Sequence, residues 1–250
     1  MKKVLLASAL LLVASPVLAA SFVNGGFEDG TFYGWTNDGG TYQSGIYYNT
    51  GDPGKSAIVA TGVDPISGLN TVYSGSKSAR VNNYDWNYHY STITQTVTNW
   101  TDPNIYFAYA AVIEDPGHDY AGHMRVTLFD ETTDTSLYDV YFDYYTAGSV
   151  MGSSWHTTQA DPNGWGYDST WGYTDWTVVN LSIGAAIGHD LTLTMLASDC
   201  GYGGHGGYAY LDGFGAAPPP PGPVPEPTTM LLFGTGLAGL VGFGRRRNRK

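Results

Sequence analysis

The sequence predicts an antiparallel β-sandwich, and three observations lead to this fold class. Several segments alternate apolar and polar residues with the period of two that is typical of strands with one buried face, and no stretch has a convincing helical stripe. Clusters of Gly, Asp, Asn and Pro separate these segments. About 195 residues remain once both ends are set aside, which is enough to bury a core without disulfides. We therefore expect one all-β domain, a sandwich or jelly roll, at residues 21–216.

The individual strands follow from this alternation. Ile93, Gln95 and Val97 alternate with threonines in one segment, and Leu191, Leu193 and Met195 do so in another. A third segment alternates Met, Val and Leu with Arg, Thr and Phe. The predicted strands, in chain order, are 91–98, 105–113, 124–129, 137–144, 176–183, 191–195 and 207–214.

The two ends of the chain carry targeting signals. Lys2 and Lys3 precede an apolar run, and small residues follow it, so residues 1–20 are predicted to be a secretory signal peptide. Residues 217–227 contain seven prolines and should form a stiff linker. The uncharged run 228–244 would span roughly 25 Å as a helix, the short end of what crosses a bilayer, and the basic residues after it should stay cytoplasmic. Residues 228–250 are therefore predicted to be a hydrophobic anchor with a basic tail.

The order of these C-terminal parts carries a family resemblance. Pro225, Glu226 and Pro227, then an apolar segment, then an Arg-rich end resemble the PEP-CTERM sorting signal of Gram-negative bacteria. The resemblance covers about the last 27 residues. It implies transient retention at the inner membrane, processing by an exosortase, and delivery to the outer surface or extracellular matrix of a bacterium that makes exopolysaccharide.

The charge of the predicted domain excludes one class of partner. Four basic residues face 21 acidic ones within residues 21–216, a net charge near −17. Such a field repels phosphate backbones, so nucleic acid is not expected to bind. A single cysteine, Cys200, excludes an intramolecular disulfide.

Three motifs resemble the galactose-binding-like jelly roll, the fold of many carbohydrate-binding modules. The first is the opening segment Asn24–Glu28, followed by Gly34 and Trp35. The others are Gly75–Val81, similar to an early G-x-x-S-A-R strand, and Tyr208–Asp212, similar to the closing strand. The resemblance implies that the first and last segments of the domain lie side by side.

The same resemblance implies a structural calcium site. Glu28 and Asp212 match its carboxylate ligands, and Gly26, Ser76 and Lys77 match its carbonyl donors. Hard oxygen ligands from distant segments suit Ca²⁺. The alternative is that both carboxylates face solvent or cap turns, and Gly213 stands where the family usually has a second polar residue.

Aromatic residues are the candidate glycan ligands. Flat rings stack on the C–H faces of sugars, but Trp and Tyr are also ordinary strand and core residues. Glycine spacing favours a loop for the most Trp-rich segment, and exposed loop aromatics are typical of binding sites. The candidates in this segment are Trp165, Tyr167, Trp171 and Tyr173, with Trp86 and Tyr88 as a second cluster.

Cysteine and histidine residues leave a second metal hypothesis open. His118, His123, Cys200 and His205 include the ligand types that Zn²⁺ prefers, but their spacing is not that of a zinc finger. The sequence favours the alternative, in which Cys200 is a small buried apolar residue and the histidines hydrogen-bond a glycine-rich turn.

The sequence therefore predicts a secreted, non-enzymatic protein that binds a glycan, for which the producer's own exopolysaccharide is the candidate. The second hypothesis is a matrix scaffold without a sugar site. A polysaccharide hydrolase is the third, and neither a nucleophile elbow nor a metalloprotease helix supports it.

Overall fold

A computed structural model of the chain describes residues 21–52, 54–162, 164, 166 and 168–215. Each of the seven predicted strands is confirmed to within a few residues. A five-residue helix, α1 (Ala147–Met151), and two short 3-10 turns accompany the strands. The strands of these described residues are β1 (Thr36–Gln43), β2 (Ile46–Asn49), β3 (Ala57–Ala60), β4 (Lys77–Val81), β5 (His89–Val97), β6 (Asn104–Glu114), β7 (His123–Asp130), β8 (Thr135–Asp143), β9 (Trp155–Ala160), β10 (Ser169–Thr174), β11 (Thr177–Ser182), β12 (Leu191–Ser198) and β13 (Gly207–Gly215).

Two antiparallel sheets form the domain. Six strands pair in the order β2-β1-β5-β12-β7-β8. The second sheet has seven strands, six in the order β3-β4-β13-β6-β10-β9 and β11, which also pairs with β6. Strands β10 and β11 pair with different halves of the long β6, at Val112–Glu114 and Asn104–Tyr109. The predicted all-β sandwich is confirmed.

The main core lies between the two sheets. Ile93, Val126 and Leu193 project inward from the six-stranded sheet, and Phe107 and Leu211 project inward from the other. These side chains are almost completely buried, as the period of two in their strands requires.

Part of the outer face of the seven-stranded sheet is covered. The segment that carries Asp64 and Ile66 packs on Trp171, Tyr208 and Tyr210 and forms a second apolar cluster. Both tyrosine hydroxyls donate hydrogen bonds to one buried Asp64 carboxylate oxygen, at 2.7 Å each. The covering segment therefore closes this part of the face to a large ligand, whereas outward residues of β11 such as Val178 are exposed.

The opening segment of the domain lies against its last strand. The Phe214 amide donates to the Gly25 carbonyl at 3.0 Å, and a Cβ atom at Gly25 would collide with the Phe214 backbone. The Trp35 indole nitrogen donates to the Asn24 carbonyl at 3.2 Å. The first and last segments are thus neighbours, as the galactose-binding-like resemblance implies.

Among the residues that the structure describes, no helix is long and apolar enough to cross a membrane. The predicted signal peptide (1–20), linker (217–227) and anchor (228–250) lie outside those residues.

Candidate functional site

The open face of the six-stranded sheet has a polar centre. Outward-facing threonines of β5 and β12 form two cross-strand hydrogen bonds between hydroxyls, Thr94 with Thr194 at 3.1 Å and Thr96 with Thr192 at 2.8 Å. These pairs leave the middle of the face flat and able to exchange hydrogen bonds with a ligand.

The β1–β2 hairpin forms a wall at one end of this face. Ser44 and Gly45 both have positive φ, which gives the two-residue turn whose twist suits a hairpin. The Ser44 amide donates to the Gly201 carbonyl at 3.1 Å, which fixes the tip of the hairpin. Strand β2 is at the sheet edge, yet the Tyr47 ring lies 5.8 Å from that of His123 in β7. The hairpin therefore reaches across the ends of the intervening strands.

His123 holds the Tyr47 ring in place. It is 1% exposed, and burial lowers the pKa of its imidazole to about 4, so the ring is neutral at pH 7. A neutral ring has one N–H, and the carbonyl of Ala121 lies 3.2 Å from Nδ1 as its acceptor. The Nε2 atom then accepts from the Tyr47 hydroxyl. The Tyr47 ring also packs on Tyr42 and Tyr90, and the residue keeps 44% of its surface exposed.

A second exposed ring comes from the opposite sheet edge. Tyr141 of β8 is 46% exposed, and its ring lies 5.4 Å from His123. Partial burial and the nearby Asp143 raise its pKa to about 12, so its hydroxyl stays protonated. Arg125 pairs with Tyr141 across the strands and bonds both Asp139 carboxylate oxygens, at 2.8 and 2.6 Å. We call Tyr47, His123, Arg125, Asp139 and Tyr141 the tyrosine face. It offers two flat rings with charged hydrogen-bonding groups beside them.

The buried neutral imidazole makes a pH prediction. Because the folded pKa of His123 is about 4 and the unfolded value about 6.5, the unfolded chain binds more protons between these values, and stability falls as pH falls through this window. We expect this residue to contribute about 2 kcal/mol of lost unfolding free energy between pH 7.5 and pH 5. Urea unfolding of wild type and His123→Gln at pH 7.5 and pH 5 measures this loss. The variant should lose about 2 kcal/mol less unfolding free energy than wild type between the two pH values. Equal losses in both proteins would contradict a buried neutral His123.

Trp171 corrects the loop predicted for the Trp-rich segment. It lies in β10, paired with β9, and is 0% exposed. Its indole nitrogen donates to the Ser169 hydroxyl at 2.9 Å. A ring buried in this way cannot stack on a sugar, so its predicted binding role is wrong. Tyr173 of the same strand is half-buried beside His156, and Trp165 and Tyr167 lie outside the described residues.

The second predicted cluster lies against the β12–β13 loop. The half-buried Trp86 donates from its indole nitrogen to buried Glu114 at 2.9 Å. Tyr88 has a positive φ, and its ring covers Gly203 closely enough that a Cβ atom there would collide with it. Trp86 and Tyr88 therefore lie at the β12–β13 loop, and the exposed rings of Tyr47 and Tyr141 on the six-stranded sheet were not predicted from the sequence.

Glu28 and Asp212 are neighbours, on either side of Gly26. A Cβ atom at Gly26 would lie 3.7 Å from the Glu28 Cγ and 3.9 Å from an Asp212 oxygen. Glu28 accepts from the Ser76 amide at 2.9 Å, the Ser76 hydroxyl at 2.6 Å and the Lys77 amide at 3.1 Å. Asp212 is fully buried, and burial together with the Glu28 charge raises its pKa to about 7, although backbone amides donate to it.

These contacts correct part of the predicted calcium ligand set. The Ser76 carbonyl accepts from the Thr61 amide at 3.0 Å. The groups that Ser76 turns toward Glu28 are its N–H and its hydroxyl, and not the predicted carbonyl. Lys77 likewise presents its amide. The two carboxylates themselves suit a hard cation, because they are adjacent and like-charged.

The comparisons with known proteins identify one part of the chain. Residues 223–249 match the family described as the PEP-CTERM protein-sorting motif. This chain carries a PEP-CTERM sorting motif. The motif indicates export and sorting to the cell surface, which agrees with the interpretation of Pro225, Glu226 and Pro227. No curated protein matches the chain.

Several solved carbohydrate-binding modules are similar to the sandwich in fold. TmCBM61, solved with β-1,4-galactotriose, is 13% identical with a TM-score of 0.42, covering 78% of this chain and 95% of that one. A xylan-binding CBM22 domain is 13% identical with a TM-score of 0.32, covering 81% and 98%. CBM28, specific for non-crystalline cellulose, is 12% identical with a TM-score of 0.33, covering 80% and 98%. Their ligands are properties of those proteins.

The candidate sulfur and imidazole ligands predicted from the sequence lie in two separate places. His118, Cys200 and His205 lie together, with ligand atoms within 4.8 Å of one another. His123 is committed to Tyr47 and Ala121 in the tyrosine face and is not part of this group.

Proposed function

We propose that the PEP-CTERM chain is a non-enzymatic surface protein that binds a glycan on its tyrosine face. One observation carries the proposal: the exposed face of the six-stranded sheet holds two exposed rings, Tyr47 and Tyr141, beside a fixed Arg125–Asp139 pair. On the other sheet, the covering segment closes the face around Trp171, Tyr208 and Tyr210.

The chemistry of this face suits a sugar chain. The C–H surfaces of pyranose rings are apolar and pack on tyrosine rings, while hydroxyl groups need donors and acceptors beside them. Arg125 supplies donors and Asp139 supplies acceptors. Asp38, which accepts from Asn49 at 3.1 Å, adds a further polar group on the same face. The rings are anchored before binding, which reduces the entropy that a ligand must overcome.

Charge narrows the class of glycan. A net charge near −17 over residues 21–216 repels acidic polysaccharides. The proposed ligand is therefore a neutral polysaccharide, and the sorting motif makes a surface or matrix glycan of the producing cell the candidate.

We also propose that Glu28 and Asp212 hold a structural Ca²⁺. When bound, the ion would supply positive charge between two adjacent carboxylates that otherwise repel each other. The support is their adjacency at Gly26 and the burial of Asp212.

The glycan proposal makes a direct prediction for Tyr141. Tyr141→Ala should weaken retention on a neutral polysaccharide affinity gel by about 10- to 100-fold, taking base stacking on aromatic rings as the guide. The melting temperature should change little, because the ring is on the surface. Tyr33→Ala is the matched control, since it removes a tyrosine that is 71% exposed in another part of the domain.

Three results would overturn the proposal that the tyrosine face binds a glycan. Unchanged retention in both Tyr141→Ala and Arg125→Ala would leave it without a role. Loss of retention in Trp165→Ala or Trp86→Ala alone would move the site to the clusters predicted from sequence. If wild type binds no polysaccharide at all, the matrix scaffold becomes the better hypothesis.

A further inference from the structure

Three metal-ligating side chains converge between two loops at one end of the sandwich. The buried Cys200 sulfur lies 3.5 Å from His205 Nδ1 and 3.9 Å from His118 Nε2. The two imidazole rings are 5.1 Å apart and half-buried. His118 comes from the β6–β7 loop, and the other two come from the β12–β13 loop. A sulfur at the bottom and two imidazoles at the surface leave an ion a route of entry.

The backbone fixes this arrangement before any ligand binds. The Cys200 amide donates to the His205 carbonyl at 3.0 Å, so the five-residue spacing closes into a tight loop. Gly203, with a φ of 79°, makes the turn inside that loop. The Gly201 amide donates to the Tyr120 carbonyl at 2.8 Å, which joins this loop to the one that carries His118. The three side chains are therefore held close together by the backbone, and an ion would lose little binding free energy to ordering the loops.

Hydrogen bonding also selects the tautomer of His118. Its Nδ1 lies 2.6 Å from the Asp119 carbonyl, which can only accept, so Nδ1 carries the proton. The lone pair on Nε2 then points toward the Cys200 sulfur. A ligand histidine whose other nitrogen donates to a carbonyl is the usual arrangement at metal centres.

The sulfur faces a nitrogen of each imidazole, His205 Nδ1 at 3.5 Å and His118 Nε2 at 3.9 Å. Without an ion, these contacts pair the S–H with His118 Nε2 and require His205 to carry its proton on Nδ1. One ion bound to all three atoms would instead take a lone pair from each.

The two sulfur–nitrogen distances are close to those of a tetrahedral centre. Metal bonds of about 2.3 Å to sulfur and about 2.0 Å to nitrogen place a sulfur and a nitrogen about 3.5 Å apart across a tetrahedral angle. The observed separations are 3.5 and 3.9 Å. We propose that His118, Cys200 and His205 bind a borderline-soft divalent transition-metal ion, Zn²⁺, with water in the fourth position.

The donor set separates this site from the calcium pair. Thiolate and imidazole favour Zn²⁺, whereas Ca²⁺ takes oxygen ligands. The ion would clamp the two loops together and would keep the one thiol of an exported protein from oxidation.

Cobalt spectroscopy tests the site. Purified exported protein, freed of metal with a chelator under reducing conditions, should take up one Co²⁺ with the charge-transfer absorption of a thiolate–Co²⁺ bond, and Zn²⁺ should displace it. Cys200→Ser should lack this absorption. His118→Gln, at a half-buried surface position that tolerates change, should bind Zn²⁺ at least about 100-fold more weakly, and His156→Gln is the control histidine. No Co²⁺–thiolate absorption in folded wild type, or Zn²⁺ affinity unchanged in His118→Gln, would overturn the proposal.

Discussion

Replacing Trp171 by alanine is expected to lower the free energy of unfolding by about 3–5 kcal/mol. The indole is completely buried against Ile66 and Tyr208, under the segment that covers the seven-stranded sheet. Removal of the indole leaves a cavity that the small surrounding cluster cannot fill. The Ser169 hydroxyl also loses the indole N–H that donates to it. Urea denaturation followed by circular dichroism measures the loss.

Binding separates this effect from a role in recognition. At temperatures where Trp171→Ala is folded, its retention on a neutral polysaccharide gel should equal that of wild type. Trp171→Phe keeps most of the buried ring area and should lose much less stability, which makes it the matched control. If the Trp171→Ala protein is as stable as wild type but is no longer retained on the gel, the result would support the exposed loop that the sequence predicts.

The strands that the sequence predicts are those whose alternation is undisturbed. β5, β7 and β12 place apolar residues at every second position and bury them between the sheets. β10 escaped prediction because Gly172 interrupts its pattern. That glycine is a packing requirement, since the Trp155 ring lies where a Cβ atom would be. A glycine in a strand can mark the close approach of a ring as well as a turn.

The β1–β2 hairpin was missed for a related reason. Gly39 and Gly40 occupy the middle of β1, where the Tyr90 and Tyr48 carbonyls respectively approach too closely for a side chain. In the sequence, these glycines resemble a turn. The hairpin that these glycines allow carries Tyr47. Because the hairpin could not be predicted, the position of Tyr47 on the tyrosine face could not be predicted either.

The convergence of the tyrosine face depends on sheet order, which local patterns do not contain. Tyr141 falls in a predicted strand next to core residue Phe142, so its outward direction follows from alternation. Its proximity to Tyr47 arises because β2 reaches over the sheet toward β7. The sorting motif is a contiguous stretch, and for that reason the sequence alone was sufficient to recognise it.

The cysteine site shows the same limit in another form. The five-residue spacing of Cys200 and His205 matches no zinc finger, and the sequence therefore favoured a structural role. The third ligand, His118, arrives through the pairing of Gly201 with Tyr120. A metal site assembled from two loops leaves no regular spacing to detect.

Calcium ions are expected to raise the melting temperature of the folded protein. At a concentration about a hundredfold above the dissociation constant, binding to the native state alone would add about 2.7 kcal/mol to the free energy of unfolding. The physical reason is the buried Asp212 beside Glu28, since burial and the Glu28 charge oppose ionisation of Asp212, and a cation between the two carboxylates would favour it. Differential scanning calorimetry with added Ca²⁺ and with chelator, both on protein freed of Zn²⁺ and in Zn²⁺-free buffer, measures the shift.

Matched variants assign that shift to the pair. Glu28→Gln and Asp212→Asn should each abolish the calcium response, because each removes one of the two charges that attract the ion. Asp29→Asn is the control, since it changes an adjacent carboxylate that bonds Asn24 and Thr31 in the same opening segment. The Cys200→Ser protein should keep the full response, which distinguishes this ion from the one at the cysteine site. Equal melting temperatures in calcium and in chelator would show that hydrogen bonds from Ser76, Lys77 and the backbone are sufficient for these carboxylates, and that no cation is needed to hold the first and last segments of the domain together.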